Sequence, residues 1–342
     1  MKRFSQLFLY ITIVLLLLWQ LPWCYAFFTA KSSQTPFTLY SNVLGDFLLM
    51  ENTEGKGMVR HDVAGNVYTQ EQVDSLLPFF YVRQLTADER FPDTIGGVAV
   101  TPREVHLTNF SFRVSPQDIN ATTVPLYPLL ESMSKRVDLK MPDDVFRMTE
   151  SGIEFIKMSS NTLDEEKSRR YTEALKKKGF VFPAYRVAGN PTARKDYDEG
   201  YLLLDKERKL FHLKQMVGRP YVRAVSLPEG VKPEHLFITE FKSRLTLGLL
   251  TDTEHRLYVL DAKYGVTRTG VPSYNPEKES MTVFGNLLDW TVNIKGETNA
   301  TSYALDAADY SLLKSIDFPV KSRSVPGLHF TSAYDKWVKP RF

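Results

Sequence analysis

The sequence predicts an all-β fold: a β-propeller-like body of about five or six partly degenerate blades, with a charged helical insertion and one N-terminal transmembrane helix ahead of it. Three observations predict it. First, residues 204–213 (Leu-Asp-Lys-Glu-Arg-Lys-Leu-Phe-His-Leu) are echoed 47 residues later by residues 251–260 (Thr-Asp-Thr-Glu-His-Arg-Leu-Tyr-Val-Leu). Each copy reads as strand, acidic turn, strand, and the interval suits one four-stranded blade. Second, turn signals recur roughly every 8–12 residues along the body. Third, 17 Tyr and 22 Phe among 342 residues favour strands over a helical bundle.

The chain divides into residues 1–30, a signal-anchor or transmembrane segment; residues 31–36, a polar linker; and residues 37–342, the propeller-like extracytoplasmic domain. Residues 7–28 are apolar apart from Thr12, Gln20 and the polar tips of the aromatics. A run of that length can cross a hydrocarbon core of about 30 Å. Lys2 and Arg3 precede it, which orients the N-terminus to the cytoplasm and the body outward. A cleavable signal peptide is the rival reading: residues 7–18 have the length of an h-region, and Cys24-Tyr25-Ala26 forms a small-x-small site. Both readings export the body.

Along the body, residues 37–40, 46–50, 58–61 and 67–69 read as short strands. Thr69 and Gln72 form a capping box that opens a helix through Leu77, which Pro78 limits. Residues 98–100, 104–108 and 111–114 read as strands, and residues 145–148 and 153–158 as a hairpin. Thr162 with Glu165 reads as a second capping box. The helix it opens ends at Gly179 after Lys176-Lys177-Lys178, with Leu163, Tyr171, Ala174 and Leu175 as its apolar stripe. Strands then resume at 180–182, 201–204, 209–213, 221–226, 235–240, 246–250 and 256–260, and again at 281–288, 290–295, 302–305 and 312–316.

Charge excludes a nucleic-acid binder. Outside the first 30 residues, 41 basic side chains face 40 acidic ones, with no concentrated basic surface. Cys24 is the one cysteine and lies in the leader, so the body has no thiol for a disulfide, a metal or nucleophilic chemistry. No phosphate-binding glycine loop and no Gly-x-Ser-x-Gly elbow is present. The six histidines show no i, i+4 pair, so no metal site and no cofactor are expected. The densest polar cluster is Lys195-Asp196-Tyr197-Asp198-Glu199-Gly200. Asp196, Asp198 and Glu199 are the candidate ligand-binding residues, since alternate carboxylates before a glycine resemble part of a hard-cation loop. The full loop pattern fails, and a solvated turn feeding the strand at 201–204 accounts for the same residues. Asp205 and Asp252 sit at equivalent places in the two echoed segments, which marks them as hairpin residues and not as catalytic ones. No catalytic residue is assigned. Trp290, Trp337 and Phe79-Phe80-Tyr81 are aromatic groups available to a binding surface or to the core.

The leader, Gly179-Phe180-Val181-Phe182-Pro183, the run from Asn190 to Tyr201, and Leu204-Asp205 followed by Leu210-Phe211-His212-Leu213-Lys214 resemble an uncharacterised Bacteroidetes family. Its members are membrane-anchored domain-of-unknown-function proteins often encoded beside ABC-transporter genes. The resemblance implies a single-pass protein of the inner (cytoplasmic) membrane with its body on the periplasmic side. It also implies a membrane protein partner such as an ABC permease. Together with the residues, it leads to the expectation of a non-enzymatic binding or scaffold protein. The alternative is an exported propeller-fold hydrolase or lyase acting on glycans, which needs paired carboxylates about 5–10 Å apart.

Overall fold

A computed structural model describes residues 2–29, 35–53, 55, 57–121, 123–134, 138–320, 328–331 and 339–341. Helix α1 (Lys2–Thr29) is apolar along almost all its length. The 24 residues Lys2–Tyr25 are long and apolar enough to cross a membrane, and a signal sequence has the same character. Its large apolar side chains, from Phe4 to Phe28, are exposed.

The first sheet follows: β1 (Phe37–Ser41), β2 (Asp46–Thr53) and β3 (Gly57–Asp62), all antiparallel. Helices α2 (Gln70–Leu76) and α3 (Val82–Ala87), the small hairpin β4 (Thr94–Ile95) and β5 (Val98–Ala99), and helix α4 (Pro102–Thr108) come next. Strand β6 (Phe110–Val114) and helix α5 (Pro116–Asn120) complete this stretch. The second sheet is β7 (Asp144–Met148), β8 (Ile153–Lys157) and β9 (Thr162–Asp164), followed by helix α6 (Glu165–Lys177).

Two four-stranded meanders carry the echo. One is β10 (Arg186–Gly189), β11 (Tyr201–Leu204), β12 (Leu210–Met216) and β13 (Arg219–Val225). The other is β14 (Pro233–Ile238), β15 (Thr246–Asp252), β16 (Leu257–Asp261) and β17 (Val266–Arg268). The fifth sheet holds β18 (Ser280–Gly285), β19 (Asp289–Lys295), β20 (Asn299–Asp306) and β21 (Leu312–Pro319). Its outer neighbour beside β18 is β6, which pairs antiparallel from far earlier in the chain. A last hairpin, β22 (His329–Thr331) and β23 (Lys339–Arg341), lies against α1, where Trp19 meets Phe330 edge-on. The open strand edges of a two-stranded hairpin cannot be satisfied in hydrocarbon. A membrane-inserted α1 therefore requires the hairpin to leave.

The body is thus mostly β and propeller-like, with five blade-like sheets among the described residues. Buried clusters join them in succession. Phe146 and Phe155 pack with Phe211 and Leu213, Leu204 and Leu210 with Leu250 and Leu260, and Leu249 and Val259 with Val283 and Val292. Phe47 and Leu49 of the first sheet then pack on Ala304 of the last. The N- and C-terminal sheets are neighbours, and β6 ties the interior of the chain to that junction.

The echo is a hairpin that recurs for a physical reason. It joins the second and third strands of both four-stranded meanders, with Leu204 opposite Leu210 and Thr251 opposite Leu257. In each copy the aspartate Oδ1 accepts two backbone N–H bonds: from Glu207 and Lys209 to Asp205, and from Glu254 and Arg256 to Asp252. The residue between the acceptors' partners, Arg208 or His255, has φ near +60°. The aspartate side chain satisfies N–H groups left over by that left-handed residue. Asp261 repeats the pattern with Lys263 and Gly265, around Tyr264 at φ +70°. Matched aspartates therefore fold turns.

Four sequence expectations are corrected. Residues 67–69, read as a strand, form only an isolated bridge from Val67 to His61. Residues 104–108, read as a strand, are helical: Thr101 caps α4 in a box with Glu104, and Pro102 occupies the first turn, where its missing N–H costs nothing. The insertion helix α6 begins at Glu165 and is capped by Asp164, whose Oδ1 accepts from Lys167 N–H at 3.0 Å, while Thr162 and Leu163 belong to β9. Residues 180–182 form no strand, although Phe180 packs into the core beside Phe211. The α2 box between Thr69 and Gln72 forms as read.

Candidate functional site

Packing of β1 beside β19 brings two turns together at the seam of the first and last sheets. Asn42 follows β1, Asn286 follows β18, and Asp289 opens β19. Asn286 Oδ1 accepts the N–H groups of Leu288 and Asp289 at 2.8 and 3.0 Å, which shapes the β18–β19 turn. Its Nδ2 donates to Asp289 Oδ2 at 3.1 Å, and Asn42 Nδ2 donates to the same oxygen. Asp289 is 1% exposed. Burial pushes its carboxyl up to about 7, against the two amide bonds, and Asp306 across the β19–β20 ladder adds to the rise.

Asp289 lines a cavity of about 750 Å³. That volume lies within the range of small-ligand sites. Its apolar wall comes from Phe79, Phe80 and Tyr81, in the turn between α2 and α3, with Phe110 of β6 and Phe284 of β18. Pro78 follows the end of α2 and leads into the three aromatics. Asn109 Nδ2 holds that turn to the start of β6 by donating to the Phe79 carbonyl at 2.5 Å. Phe110 stacks on Phe241 at 3.9 Å and lies across Gly285, where any Cβ would collide with its ring. Phe80 stands nearly perpendicular to both Tyr81 and Phe284, with centroids 5.0 and 6.3 Å away. The polar end is Ser41, Asn42, Asp289 and Thr291. Arg83 and His106 line the cavity from exposed positions on α3 and α4.

The sequence-predicted cluster lies elsewhere, before β11. Asp196 is exposed, whereas Asp198 and Glu199 join a network of buried charges. The Lys195, Asp198 and Glu240 side chains are 6%, 3% and 4% exposed. Lys195 Nζ donates to Asp198 Oδ1 at 2.7 Å, Glu240 Oε1 at 2.6 Å and the Asn190 carbonyl at 2.7 Å, which uses all three ammonium hydrogens. Asp198 Oδ2 accepts from Ser132 Oγ and Gly200 N–H, so both its oxygens are engaged. Glu199 pairs with Lys214 at 2.6 Å, and its carbonyl meets His212 Nε2. Burial holds His212 down at about 4, so the ring is neutral near pH 7 and makes no ion pair with Glu199. Asp196, Asp198 and Glu199 all line a separate cavity of about 420 Å³, with Lys214 and Arg244 also on its wall. Within it Asp198 serves as a joint between sheets, and Glu199 pairs with Lys214.

Phe79, Phe80 and Tyr81 line the larger cavity, while Trp290 is core, packed between Phe110 and Tyr310. Trp337 lies outside the described residues. Asp289 was not singled out from sequence; the signal available was the turn Asn286-Leu287-Leu288-Asp289 ahead of a buried tryptophan.

Fold and site together define a mostly β, propeller-like protein with an apolar N-terminal helix and a ligand-sized cavity at the seam of its sheets. The chain belongs to the family described as a domain of unknown function (DUF4857), whose model matches residues 37–305. No curated protein sequence matches. Among solved structures, the chain is similar to PorZ, a bacterial surface component of the type-IX secretion system of Porphyromonas gingivalis. The identity is 13% and the TM-score 0.26, over 84% of this chain and 27% of that one. It is also similar to the Dos1 propeller, at 12% identity and TM-score 0.30 over 52% of this chain and 44% of that one. The Cps50 (Swd1) β-propeller domain of Myceliophteria thermophila matches at 11% identity and TM-score 0.30, over 61% and 60% of the two chains. The chain thus spans about a quarter of the length of PorZ and under half of the Dos1 structure. The fold assignment rests on the chain's own sheets.

Proposed function

We propose that this is a single-pass, membrane-anchored, non-enzymatic binding protein of the inner membrane. Its propeller-like body faces the periplasm, and it works as an accessory to a membrane partner such as an ABC permease. The observation that carries the binding role is the cavity of about 750 Å³ at the seam of the first and last sheets. It combines an aromatic wall with one buried carboxylate, the composition of a site that holds a small molecule. The length and apolar character of helix α1 support anchoring, and Lys2 and Arg3 ahead of it support an outward-facing body. The partner follows from the family resemblance. Glycosidase chemistry has less support: it needs a second carboxylate across the cleft, and Asp289 is the only carboxylate among the described residues that line this cavity.

The test is affinity purification of the full-length chain from native membranes in mild detergent. A permease or other integral membrane protein is expected to co-purify in stoichiometric amount. Recovery of the chain alone, under conditions that keep other membrane complexes intact, would contradict the partner.

A further inference from the structure

The cavity at the sheet seam holds an unmet charge. Among the described residues no lysine, arginine or histidine pairs with Asp289. Asn42 and Asn286 both direct their amides at Oδ2, which leaves Oδ1 without a hydrogen bond among the described residues. The neighbouring Ser41 does not supply the missing donor. Its Oγ gives its hydrogen to the Leu76 carbonyl at 2.5 Å. A buried carboxylate without a counter-cation is expensive, and folds that keep one ordinarily pair it.

The opposite wall fits the cation that is missing. Phe80, Tyr81 and Phe284 line the cavity as one aromatic cluster, which Phe37 joins, with the Tyr81 and Phe284 centroids 5.0 and 6.3 Å from Phe80. Aromatic rings attract an ammonium group by their negative faces. The cation bordering the cavity, Arg83, belongs to an exposed residue on α3. His106 Nε2 lies 3.3 Å from Lys242 Nζ, which places positive charge on that outer side too. Charge is therefore arranged with cations in solvent-exposed positions and a lone buried anion beside the aromatics. An anionic ligand would meet that carboxylate unpaired.

We infer that the cavity binds a small ligand carrying an ammonium group on an apolar or aromatic body, with the ammonium at Asp289 Oδ1 and the body against Phe80, Tyr81 and Phe284. This rests on the reading of the cavity as the binding site and adds the class of ligand.

An isosteric series tests it on the full-length chain in mild detergent at pH 8, read by calorimetry: 2-phenylethylamine, 2-phenylethanol and phenylacetate. The amine is expected to bind at least tenfold more tightly than the alcohol, and phenylacetate not to bind measurably. Asp289→Asn should abolish the preference for the amine while the protein stays folded by circular dichroism. Phe80→Ala, with Asp289 intact, should weaken amine binding severalfold. Equal or tighter binding of the alcohol or of phenylacetate overturns the ligand class but leaves the cavity as a site. Absence of binding by all three overturns the ligand class and the cavity together. Amine binding unchanged in both variants places the probe elsewhere and also overturns the inference.

Discussion

Lys195→Met is expected to cost the body about 3–5 kcal/mol, the usual penalty for stripping one partner from a buried ion pair. The side chain keeps its length and apolar stem, so little packing is lost. Two carboxylates, Asp198 and Glu240, are left facing each other without a cation, along with the Asn190 carbonyl. Burial already pushes the Glu240 carboxyl up, against the pull of Lys195, and removal of the lysine leaves only the Glu199 N–H and the Asn190 amide to oppose it. The loss should therefore shrink as the pH falls and the carboxyls take up protons. Chemical denaturation at pH 7.5 measures it. The triple variant Lys195→Met/Asp198→Asn/Glu240→Gln should recover most of the loss. Asp196→Asn, one residue away but exposed, should change stability by under about 0.5 kcal/mol. An unaltered denaturation midpoint for Lys195→Met would contradict the network.

Asp289→Asn is expected to act in the opposite direction. The Asp289 carboxyl has its folded pKa raised to about 7, above the ordinary carboxylate value of the unfolded chain. A raised folded pKa means that the native state binds the proton more tightly. Its contribution is therefore fully present below about pH 4 and is lost as the pH rises towards 7. Above that, the ionised buried group holds stability down by up to about 4 kcal/mol, from roughly three pH units at 1.4 kcal/mol each. Asparagine keeps one oxygen, enough to accept from both Asn42 and Asn286, and carries no charge. Thermal unfolding should place the variant above the wild type at pH 8 and level with it near pH 4. A variant less stable than wild type at pH 8 would contradict the unmet charge. A residue that lowers stability where it stands is a mark of function, because strain of this kind persists where a site needs it.

Much of the fold was legible because strands and turns write themselves locally. Tyr201–Leu204 is the strand read from its apolar run, and the Asp205 and Asp252 turns fell at the same offset because one side chain does the same work in both. Errors came where two local signals competed. Val105-His106-Leu107-Thr108 alternates like a strand, but Thr101-Pro102-x-Glu104 caps a helix, and the cap won. Phe180 and Phe182 alternate as well, yet Pro183 follows with no N–H for a ladder, and that stretch only drapes its rings on the core.

The site was less legible because its parts are distant in sequence. Asp289 acquires its meaning from Asn42, which reaches it only when the first sheet packs on the last. The same holds for Lys195, whose second carboxylate partner, Glu240, follows the first strand of the next sheet. Alternating carboxylates at Asp196 and Asp198 suggested equal exposure, whereas one is in solvent and the other is shut in by Ser132. No local pattern encodes that difference.

The central claim, a binding cavity built around Asp289, is tested most directly by native mass spectrometry of the full-length chain released from its own membranes in mild detergent, with Asp289→Asn alongside. The account predicts a small-molecule mass on the wild type that the variant lacks, at matching charge states. Identical spectra from the two proteins, with the added mass present in both or in neither, would contradict it.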